Sequence, residues 1–395
     1  MTTAETIDIE RALEIPTYDK MLMALVRGKG TSVWDAEGTR YLDFYGGHCV
    51  ALLGHCPAPV VEAVQRQAEQ LLFYSNVAHS PVRAEAAQWL TDLAPDGLDT
   101  VFFANSGSEA NETALKLART YTGRSQVVAM EEGFHGRTLG SLATTHGKKY
   151  RAPYDDILPD TEFVPFGDLA AAESALSTGS VAAVILEPIQ SIAGMRVASA
   201  DYIQGLRALC EAYGTLLVFD EVQTGVGRTG TFSMAEQLGA TPDLITLAKS
   251  LGSGVPVSAV LVDEAVAETV EPGDHGSTFG GGMLAMAATA ATLETLVQEN
   301  LMTRAVELHD MVAAQVEPLV EEVRGRGCLI GLKLGQPVDP ILDALRTQGV
   351  LAGGSADPHV MRLMPPLVAT DEDVNAFAAA LARALDTTAT PAKRA

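Results

Sequence analysis

The chain is poor in basic residues, in cysteine and in long apolar runs, and each shortage excludes a class of function. Its 27 lysines and arginines face 50 acidic residues, for a formal charge of −23, so neither nucleic acid nor an anionic membrane is expected as a partner. The four cysteines form no C-x-x-C pair, which argues against a zinc site or a disulfide scaffold. No apolar run is long enough to span a bilayer, and the polar, acidic N-terminus does not resemble a signal peptide. A cytoplasmic enzyme is therefore predicted.

The middle of the chain alternates short apolar segments with amphipathic, alanine-rich ones, which predicts an α/β fold with a mainly parallel, doubly wound sheet. Strands are predicted at 101–104, 127–130, 181–186, 216–219, 244–247 and 257–262, with helices at 109–120, 201–213 and 233–238. A long helical segment is predicted from 283 to about 319, followed by strands near 329–334 and 360–363 and a closing helix near 371–385.

A length of 395 residues exceeds one ordinary core and predicts two domains. We expect a large domain over 51–282 and a smaller α+β domain over 283–395, to which an N-terminal arm (1–50) contributes.

Two neighbouring apolar runs end in side chains of opposite charge. The run 216–219 ends in Asp220, and the run 244–247 leads to Lys249, 29 residues further along the chain. That spacing accommodates one crossover between parallel strands, which brings the two side chains to the sheet edge where open α/β folds bind ligands. Pyridoxal phosphate needs such a pair, with a lysine to form a Schiff base and a carboxylate to keep the ring nitrogen protonated. The sequence therefore predicts this cofactor.

The segment Ser106-Gly107-Ser108 lies between a predicted strand and a predicted helix. Backbone N–H groups at a helix start, together with two hydroxyls, can hold a phosphate. The same letters, with Glu109, also fit a capping box that binds no ligand. A phosphate site gains support over a capping box only because the Lys249–Asp220 pair also predicts a cofactor that carries a phosphate.

The segment Gly225–Gly230 matches G-x-G-x-x-G, the pattern of a dinucleotide-binding turn. That pattern should open a helix, yet Pro242 and the next apolar run follow too soon for a full helix. A nicotinamide dehydrogenase is therefore disfavoured.

Two arginines are candidate carboxylate receptors. Arg137 follows Phe134 in a predicted loop, where an aromatic ring can stack on a cofactor and a guanidinium can grip a carboxylate. Arg362 lies in the predicted strand 360–363. For an isolated Phe-x-x-Arg pattern a solvated surface arginine is the commoner case, and Arg362 could equally be a charge at a strand edge.

The chain carries six motifs in a fixed order: Asn-Ser-Gly-Ser-Glu-Ala-Asn-Glu (105–112), Phe-His-Gly-Arg-Thr (134–138), Glu-Pro-Ile-Gln (187–190), Phe-Asp-Glu-Val-Gln-Thr-Gly-Val-Gly-Arg-Thr-Gly (219–230), Ala-Lys-Ser-Leu-Gly (248–252) and Gly-Ser-Thr-Phe-Gly-Gly (276–281). In this order they resemble the class III pyridoxal-phosphate-dependent aminotransferases, and most closely the acetylornithine and ornithine aminotransferase subgroup. The resemblance implies the fold-type I transferase architecture and pyridoxal 5'-phosphate as cofactor.

The resemblance also implies residue roles. Lys249 and Asp220 would be catalytic, the first holding the cofactor and shuttling a proton, the second pairing with the ring nitrogen. The other implied cofactor-binding residues are Ser106, Gly107, Ser108, Phe134, His135, Glu187, Val222, Gln223 and Thr278. Thr278 would come from a second subunit, which implies a homodimer. The implied substrate-binding residues are Tyr18, His48, Arg137 and Arg362.

Two positions depart from the subgroup. Its members usually carry a glutamate after Glu-Pro-Ile-Gln-Gly that masks the arginine equivalent to Arg362, and this chain has Ile192 there. An unmasked buried arginine is costly beside an apolar ligand. We therefore expect a substrate carboxylate in both half-reactions, or a different partner for Arg362. His48 replaces an apolar residue or tyrosine, and it either contacts substrate or is satisfied by the backbone.

The implied reaction is a ping-pong transfer of an amino group between glutamate/2-oxoglutarate and an acetylornithine-like or related ω-amino substrate. The alternatives are an aminomutase, racemase or decarboxylase on the same fold, and a binding protein on an inactive scaffold. Arg137 and Arg362 together favour transamination, since two carboxylate receptors suit a dicarboxylate donor.

Overall fold

A computed structural model describes residues 1–388, so the last seven residues of the predicted C-terminal segment lie outside the described residues. The helices are α1 Thr3–Leu13, the single turn α2 Gly46–Cys49, α3 Ala58–Gln70, α4 Pro81–Leu93, α5 Gly107–Thr122, α6 Leu139–Ala143, α7 Lys148–Arg151, α8 Leu169–Leu176, α9 Ala200–Tyr213, α10 Met234–Leu238, α11 Glu264–Ala267, α12 Met283–Gln298, α13 Leu301–Val316, α14 Val338–Thr347 and α15 Asp371–Thr388. Short 3-10 turns cover Ala152–Ile157, Lys249–Gly252 and Glu317–Leu319.

The strands are β1 Leu25–Lys29, β2 Ser32–Asp35, β3 Arg40–Asp43, β4 Thr100–Ala104, β5 Gln126–Met130, β6 Thr161–Val164, β7 Val181–Leu186, β8 Ile189–Gln190, β9 Arg196–Val197, β10 Leu216–Asp220, β11 Leu244–Leu247, β12 Ser258–Val262, β13 Glu322–Arg326, β14 Leu329–Lys333, β15 Val350–Leu351 and β16 Val360–Leu363. None of the helices within residues 1–388 combines the length and apolar character that crossing a membrane requires.

A seven-stranded sheet in the order β4-β12-β11-β10-β7-β5-β6 forms the centre of the molecule. Strands β11, β10, β7, β5 and β6 are parallel, and β12 alone runs antiparallel to both of its neighbours. All six strands predicted for the middle of the chain are present, and the apolar runs of five of them are buried on both faces of the sheet, while β4 is buried only at its carboxyl end. The predicted mixed α/β architecture with a mostly parallel sheet is thus confirmed.

Helix α5 covers one face of the sheet and fixes one wall of the site. Its alanine-rich stripe of Ala110, Ala114 and Ala118 is fully buried, so the helix packs closely on the strands. The helix ends at Gly123, which adopts the left-handed conformation that favours glycine.

Three smaller sheets surround the central one. The N-terminal strands join a C-terminal strand in the order β1-β2-β3-β15, and the later strands pair as β13-β14-β16 and β8-β9. The sequence does not predict β1 to β3 as strands, because they are short and their burial is irregular.

The continuous helix predicted from 283 to about 319 is wrong: the chain forms two helices, α12 and α13. Asn300 stands between them in the left-handed conformation, with φ of 51°. Asparagine tolerates this conformation better than most residues, so the helix can end here although the sequence has no glycine or proline at this point.

Turn α2 has an uncommon backbone. Four consecutive residues, Gly46, Gly47, His48 and Cys49, have φ values of 57°, 56°, 65° and 68°. Two of these residues are not glycine, and non-glycine residues in this region store strain that the surrounding structure must hold. Such runs are concentrated at functional sites, and this one leads directly to Val50, which lines the cavity at the carboxyl ends of the central strands.

Candidate active site

A cavity of about 400 Å³ lies at the carboxyl ends of the central strands. Loops that follow β4, β5, β7, β10 and β11 all reach it, because these strands point in the same direction. The structure places ten of the predicted site residues in its wall: Ser106, Gly107, Ser108, Phe134, His135, Glu187, Asp220, Val222, Gln223 and Lys249.

Lys249 follows β11 in a strained conformation, with φ of 40°. Its side chain keeps some accessible surface because it faces the cavity, yet protein surrounds it. This burial lowers the pKa of the amine from its ordinary value, although the nearby Asp220 and Glu187 act in the opposite direction. A lowered pKa increases the fraction of neutral amine, which is the form that attacks a carbonyl.

Asp220 ends β10, the strand paired with β11, and three donors hold its carboxylate. Its Oδ2 accepts a hydrogen bond from Asn111 Nδ2 at 2.8 Å and lies 2.8 Å from His135 Nδ1. Its Oδ1 accepts from the Val222 N–H at 3.1 Å. The carboxylate is 4 % exposed, so these contacts fix its orientation in a site with little water.

Asn111 is a site residue that the sequence reasoning missed. It is buried in the middle of α5, where its Oδ1 accepts from Thr246 Oγ1 at 2.7 Å and its Nδ2 also donates to the His135 carbonyl at 2.7 Å. Asparagine is unfavourable inside a helix, so this position within the 105–112 motif was the available signal.

Glu187 and His135 form a second polar layer beside Asp220. Glu187 Oε1 accepts from the Phe134 N–H at 2.9 Å, which ties the loop after β7 to the loop after β5. Burial raises the pKa of Glu187 to about 7, with His135 opposing that rise and Asp220 adding to it. A carboxyl group poised near neutral pH can gain or lose a proton as the charge of the cavity changes.

The start of α5 offers an open anion site. Ser106 Oγ accepts from the Glu109 N–H at 3.3 Å, as a capping box requires. The second bond of a capping box, from the Ser106 N–H to the Glu109 carboxylate, is not formed. That carboxylate accepts from the Asn105 N–H at 2.8 Å instead. The N–H groups of Ser106, Gly107 and Ser108 therefore keep no acceptor within residues 1–388. Only half of the capping box is formed, and the remainder is free for a phosphate.

Five of the predicted residues do not line the cavity wall of this chain: Tyr18, His48, Arg137, Thr278 and Arg362. Tyr18 is 79 % exposed on the N-terminal arm. Thr278 is exposed on the loop before Phe279. Arg137 is exposed near the cavity, with its guanidinium 4.0 Å from the centre of the Tyr150 ring, which itself packs edge-on against Phe134. Their roles remain predictions.

Arg362 lies beside the cavity in a pocket of neutral partners. It is 5 % exposed, and its Nε donates to the Gly354 carbonyl at 2.5 Å. Its Nη1 donates to Ser191 Oγ at 3.2 Å and its Nη2 to Tyr45 Oη at 3.1 Å. None of the ion pairs formed within residues 1–388 includes this guanidinium.

Glu221, next to Asp220, is buried too, but its side chain holds a loop and does not line the cavity. Its carboxyl group accepts from the Met234 N–H at 3.0 Å, from Thr224 Oγ1 at 3.0 Å and from Ser233 Oγ, and so fixes the loop between β10 and α10. Burial raises its pKa from 4.5 to about 7. The folded chain therefore keeps a proton that the unfolded chain loses above pH 4.5, and stability falls as pH rises from about 4.5 to 7.

Glu221→Gln is expected to remove this part of the pH dependence. Amide and carboxyl groups have similar shapes, so at pH 7.5 the variant should be as stable as the parent or more stable, by up to about 3 kcal/mol. The measurement is the free energy of unfolding at pH 5.0 and 7.5, with the exposed Glu173→Gln as control. A variant that keeps the parent's decline between these pH values would show that Glu221 ionises normally.

Comparisons with known proteins agree with this geometry. The profile of the class-III aminotransferase family matches residues 15–385. The acetylornithine aminotransferase of Methanopyrus kandleri is 44% identical over 93% of this chain and 96% of its own. The LysW-aminoadipate semialdehyde transaminase of Deinococcus radiodurans is 41% identical over 95% of this chain and 89% of its own. The ornithine aminotransferase of Toxoplasma gondii, solved with partial occupancy of PLP at its active site, superposes with a TM-score of 0.91 at 31% identity, covering 98% of this chain and 94% of its own.

The fold is that of the fold-type I transferases, and the cavity at its strand ends lies where such folds bind ligands. The chain belongs to the class-III aminotransferase family, as the six motifs predict, and it is an aminotransferase.

Proposed function

We propose that the protein uses pyridoxal 5'-phosphate to move an amino group between the glutamate/2-oxoglutarate pair and an ω-amino compound of the acetylornithine type. The observation that carries the proposal is the placement of Lys249 and Asp220 at the ends of paired strands, in one cavity with the open helix start at Ser106. The names of the most similar relatives supply the substrate class.

The residues of the cavity fit this cofactor on three independent points. The free N–H groups at the start of α5 suit a phosphate. The buried Gln223 Oε1 has no hydrogen-bond donor within the described part of the chain, and a ring hydroxyl would supply one. Phe134 and Val222 line the cavity as apolar surfaces against which a planar ring can pack.

When bound, pyridoxal phosphate supplies an electron sink that makes the substrate carbon beside the amino group acidic. Lys249 would hold the cofactor, and its amine is placed to move the proton of that carbon. Asp220 would keep the ring nitrogen protonated, and Asn111 and His135 orient its carboxylate. Burial of both groups excludes water, which strengthens their electrostatic effect.

Two cations without carboxylate partners support a dicarboxylate donor such as glutamate. Neither Arg137 nor Arg362 forms an ion pair in the region that the structure covers. A buried guanidinium without a counter-ion favours an anionic ligand, and Arg362 keeps one N–H on each Nη for it. Arg362 therefore has neutral partners in place of the masking glutamate expected in the subgroup.

Ser191→Asp is expected to block this receptor. The new carboxylate would take the place of Ser191 Oγ, 3.2 Å from Arg362 Nη1, and would compete with the substrate carboxylate. We expect KM for glutamate to rise by roughly tenfold or more, while kcat changes less. Ser191→Asn is the matched neutral control. Equal KM values for the two variants would mean that glutamate does not use Arg362.

The proposed substrates are tested by a steady-state screen with 2-oxoglutarate as acceptor. N-acetylornithine, ornithine, lysine and 4-aminobutyrate serve as donors, and glutamate formation is followed. Turnover of N-acetylornithine above the others supports the proposal. If every ω-amine fails while glutamate alone still converts the loaded enzyme, the second substrate belongs to another class. An assay without 2-oxoglutarate separates transamination from mutase chemistry, which needs no oxo-acid partner.

We further propose that the protein works as a homodimer, with Thr278 completing the phosphate site of the partner. Thr278 is exposed and lies next to Phe279, which is 65 % exposed and packs 5.1 Å from Phe73 between ring centroids. Leu72 and Val77 are also largely exposed, so this apolar surface suits a second copy of the chain. A molar mass measured by light scattering tests this assembly.

The division into 1–50, 51–282 and 283–395 remains our proposal for the domains.

A further inference from the structure

Tyr45 connects two of the predicted substrate-binding residues, Arg362 and His48. Its hydroxyl accepts a hydrogen bond from Arg362 Nη2 at 3.1 Å and lies 2.8 Å from His48 Nδ1. The Tyr45 and His48 rings meet edge to face, with centroids 4.8 Å apart. The three side chains therefore form one connected group beside the cavity.

The hydrogens of this group can be assigned from its chemistry. Arg362 can only donate, so the Tyr45 oxygen accepts from it and keeps its own hydrogen free. Burial raises the pKa of Tyr45, so the phenol stays protonated. We assign its hydrogen to His48 Nδ1, the one acceptor within reach among the described residues, which makes that nitrogen unprotonated. A neutral histidine with a free Nδ1 carries its hydrogen on Nε2.

The charges around His48 agree with that assignment. Partial burial lowers the pKa of His48, and the positive charges of Arg362 and Lys249 lower it further. Among residues 1–388, His48 Nε2 has no hydrogen-bond partner, which leaves its N–H available to a ligand.

The backbone is built to hold Tyr45 and His48 in place. The Asp43 carboxylate accepts from the Tyr45 N–H at 2.9 Å and the Gly47 N–H at 2.7 Å, and so fixes the left-handed turn α2. Gly353, which pairs with Arg362 across a β-bridge, leaves room for the Tyr45 ring. A Cβ at position 353 would lie 2.0 Å from Tyr45 Cε2.

We propose that the Tyr45 hydroxyl couples Arg362 to His48, holding the guanidinium for a ligand carboxylate and fixing His48 as the tautomer whose Nε2–H donates to the same ligand. Tyr45 is in this sense a positioning residue, and His48 sets specificity. The inference rests on the proposed function, since it concerns recognition of the dicarboxylate partner. It explains how Arg362 is kept in place without an acidic partner.

The ligand class follows from the signs of these groups. Arg362 presents a positive charge and His48 a neutral donor, so both favour oxygen acceptors. An ammonium group at the same place would meet neither an anion nor a free acceptor. The non-reacting end of the bound ligand is therefore a carboxylate or a carbonyl, as in a dicarboxylate or an acylated amine.

The tautomer is tested without any turnover, by NMR of the cofactor-loaded enzyme labelled with ¹⁵N-histidine. The His48 signals are assigned by their loss in His48→Gln. We expect an unprotonated, hydrogen-bonded Nδ1 and a protonated Nε2 at pH 7.5. A protonated Nδ1 would overturn the inference, whatever the activity of the enzyme.

The coupling is tested by Tyr45→Phe, which keeps the ring and removes the hydroxyl. The probe is glutarate, an unreactive dicarboxylate, and its binding to the loaded enzyme is measured by calorimetry. We expect its Kd to rise by roughly tenfold. The matched control is Tyr41→Phe, because the Tyr41 hydroxyl bonds Asp35 instead, at 3.0 Å. An unchanged Kd in Tyr45→Phe would overturn the inference.

Gly353→Ala provides a second variant that keeps every hydrogen-bonding group. The added Cβ displaces the Tyr45 ring, so glutarate binding should weaken as in Tyr45→Phe. The outcomes also separate this inference from the proposed function. If glutarate binding depends on Tyr45 but no amino transfer is seen, the inference stands and the function is wrong. If amino transfer from glutamate occurs but the Kd of glutarate is the same in Tyr45→Phe and in the parent, the proposed function stands and the inference is wrong.

Discussion

Lys249→Ala is expected to lower kcat by on the order of 10⁴-fold or more, because the variant loses both the covalent anchor of the cofactor and the base that moves the substrate proton. The visible absorbance of the lysine-bound cofactor should vanish as well. Stability of the cofactor-free protein should not fall, since the lost amine is desolvated, with a lowered pKa, in the parent. Activity and absorbance spectra of the purified variant provide the measurement.

Lys333→Ala is the control for the loss of a lysine. Lys333 lies on β14, and its Nζ is 3.8 Å from Glu321 in an exposed ion pair. This control should keep parental kcat and absorbance. Steady-state turnover by Lys249→Ala at a level near that of the parent would contradict the role assigned to Lys249.

The second large effect is expected from Asp220→Asn, which keeps the shape of the side chain and removes its charge. The ring nitrogen of the cofactor would lose the anion that keeps it protonated, and we expect kcat to fall by roughly 10²- to 10³-fold. The amide oxygen can still accept from Asn111 or the Val222 N–H, so the cavity should keep its shape. Single-turnover rates with glutamate measure the effect directly.

Asp243→Asn tests whether loss of any buried carboxylate from this sheet has the same consequence. Asp243 precedes β11 at the opposite end of the sheet, where it accepts from Arg207 at 2.8 Å and the Leu217 N–H at 2.6 Å. We expect this control to lose stability but to retain kcat. Similar kcat values for Asp220→Asn and the parent would contradict a pairing of Asp220 with the cofactor.

The placement of Asp220 and Lys249 in one cavity could be predicted because its determinants are local. An apolar run buried on both faces reads as a parallel strand, and the residue after it must lie at the carboxyl edge of the sheet. Asp220 and Lys249 each follow such a run, so their neighbourhood depends only on the pairing of β10 with β11. The start of α5 was predicted either as a phosphate site or as a capping box; the capping box is only half formed, and the phosphate site stays a prediction.

Tyr45 and Asn111 could not be predicted in the same way. The Tyr45 hydroxyl meets Arg362, which is 317 residues away, through the pairing of N-terminal and C-terminal strands that the sequence does not reveal. Asn111 looks like one polar residue in an amphipathic helix until Asp220 and Thr246 are placed beside it. The break at Asn300 was missed for a related reason, since asparagine in the left-handed region leaves no composition signal.

The central claim, that this cavity moves an amino group from glutamate to a cofactor bound at Lys249, is tested most directly by one half-reaction. The loaded enzyme is mixed with glutamate alone, without any acceptor, and the absorbance of the lysine-bound cofactor is followed by stopped flow. We predict that the band disappears once, with one 2-oxoglutarate released per site, and returns when 2-oxoglutarate is added in excess. A band that glutamate leaves unchanged would contradict the account.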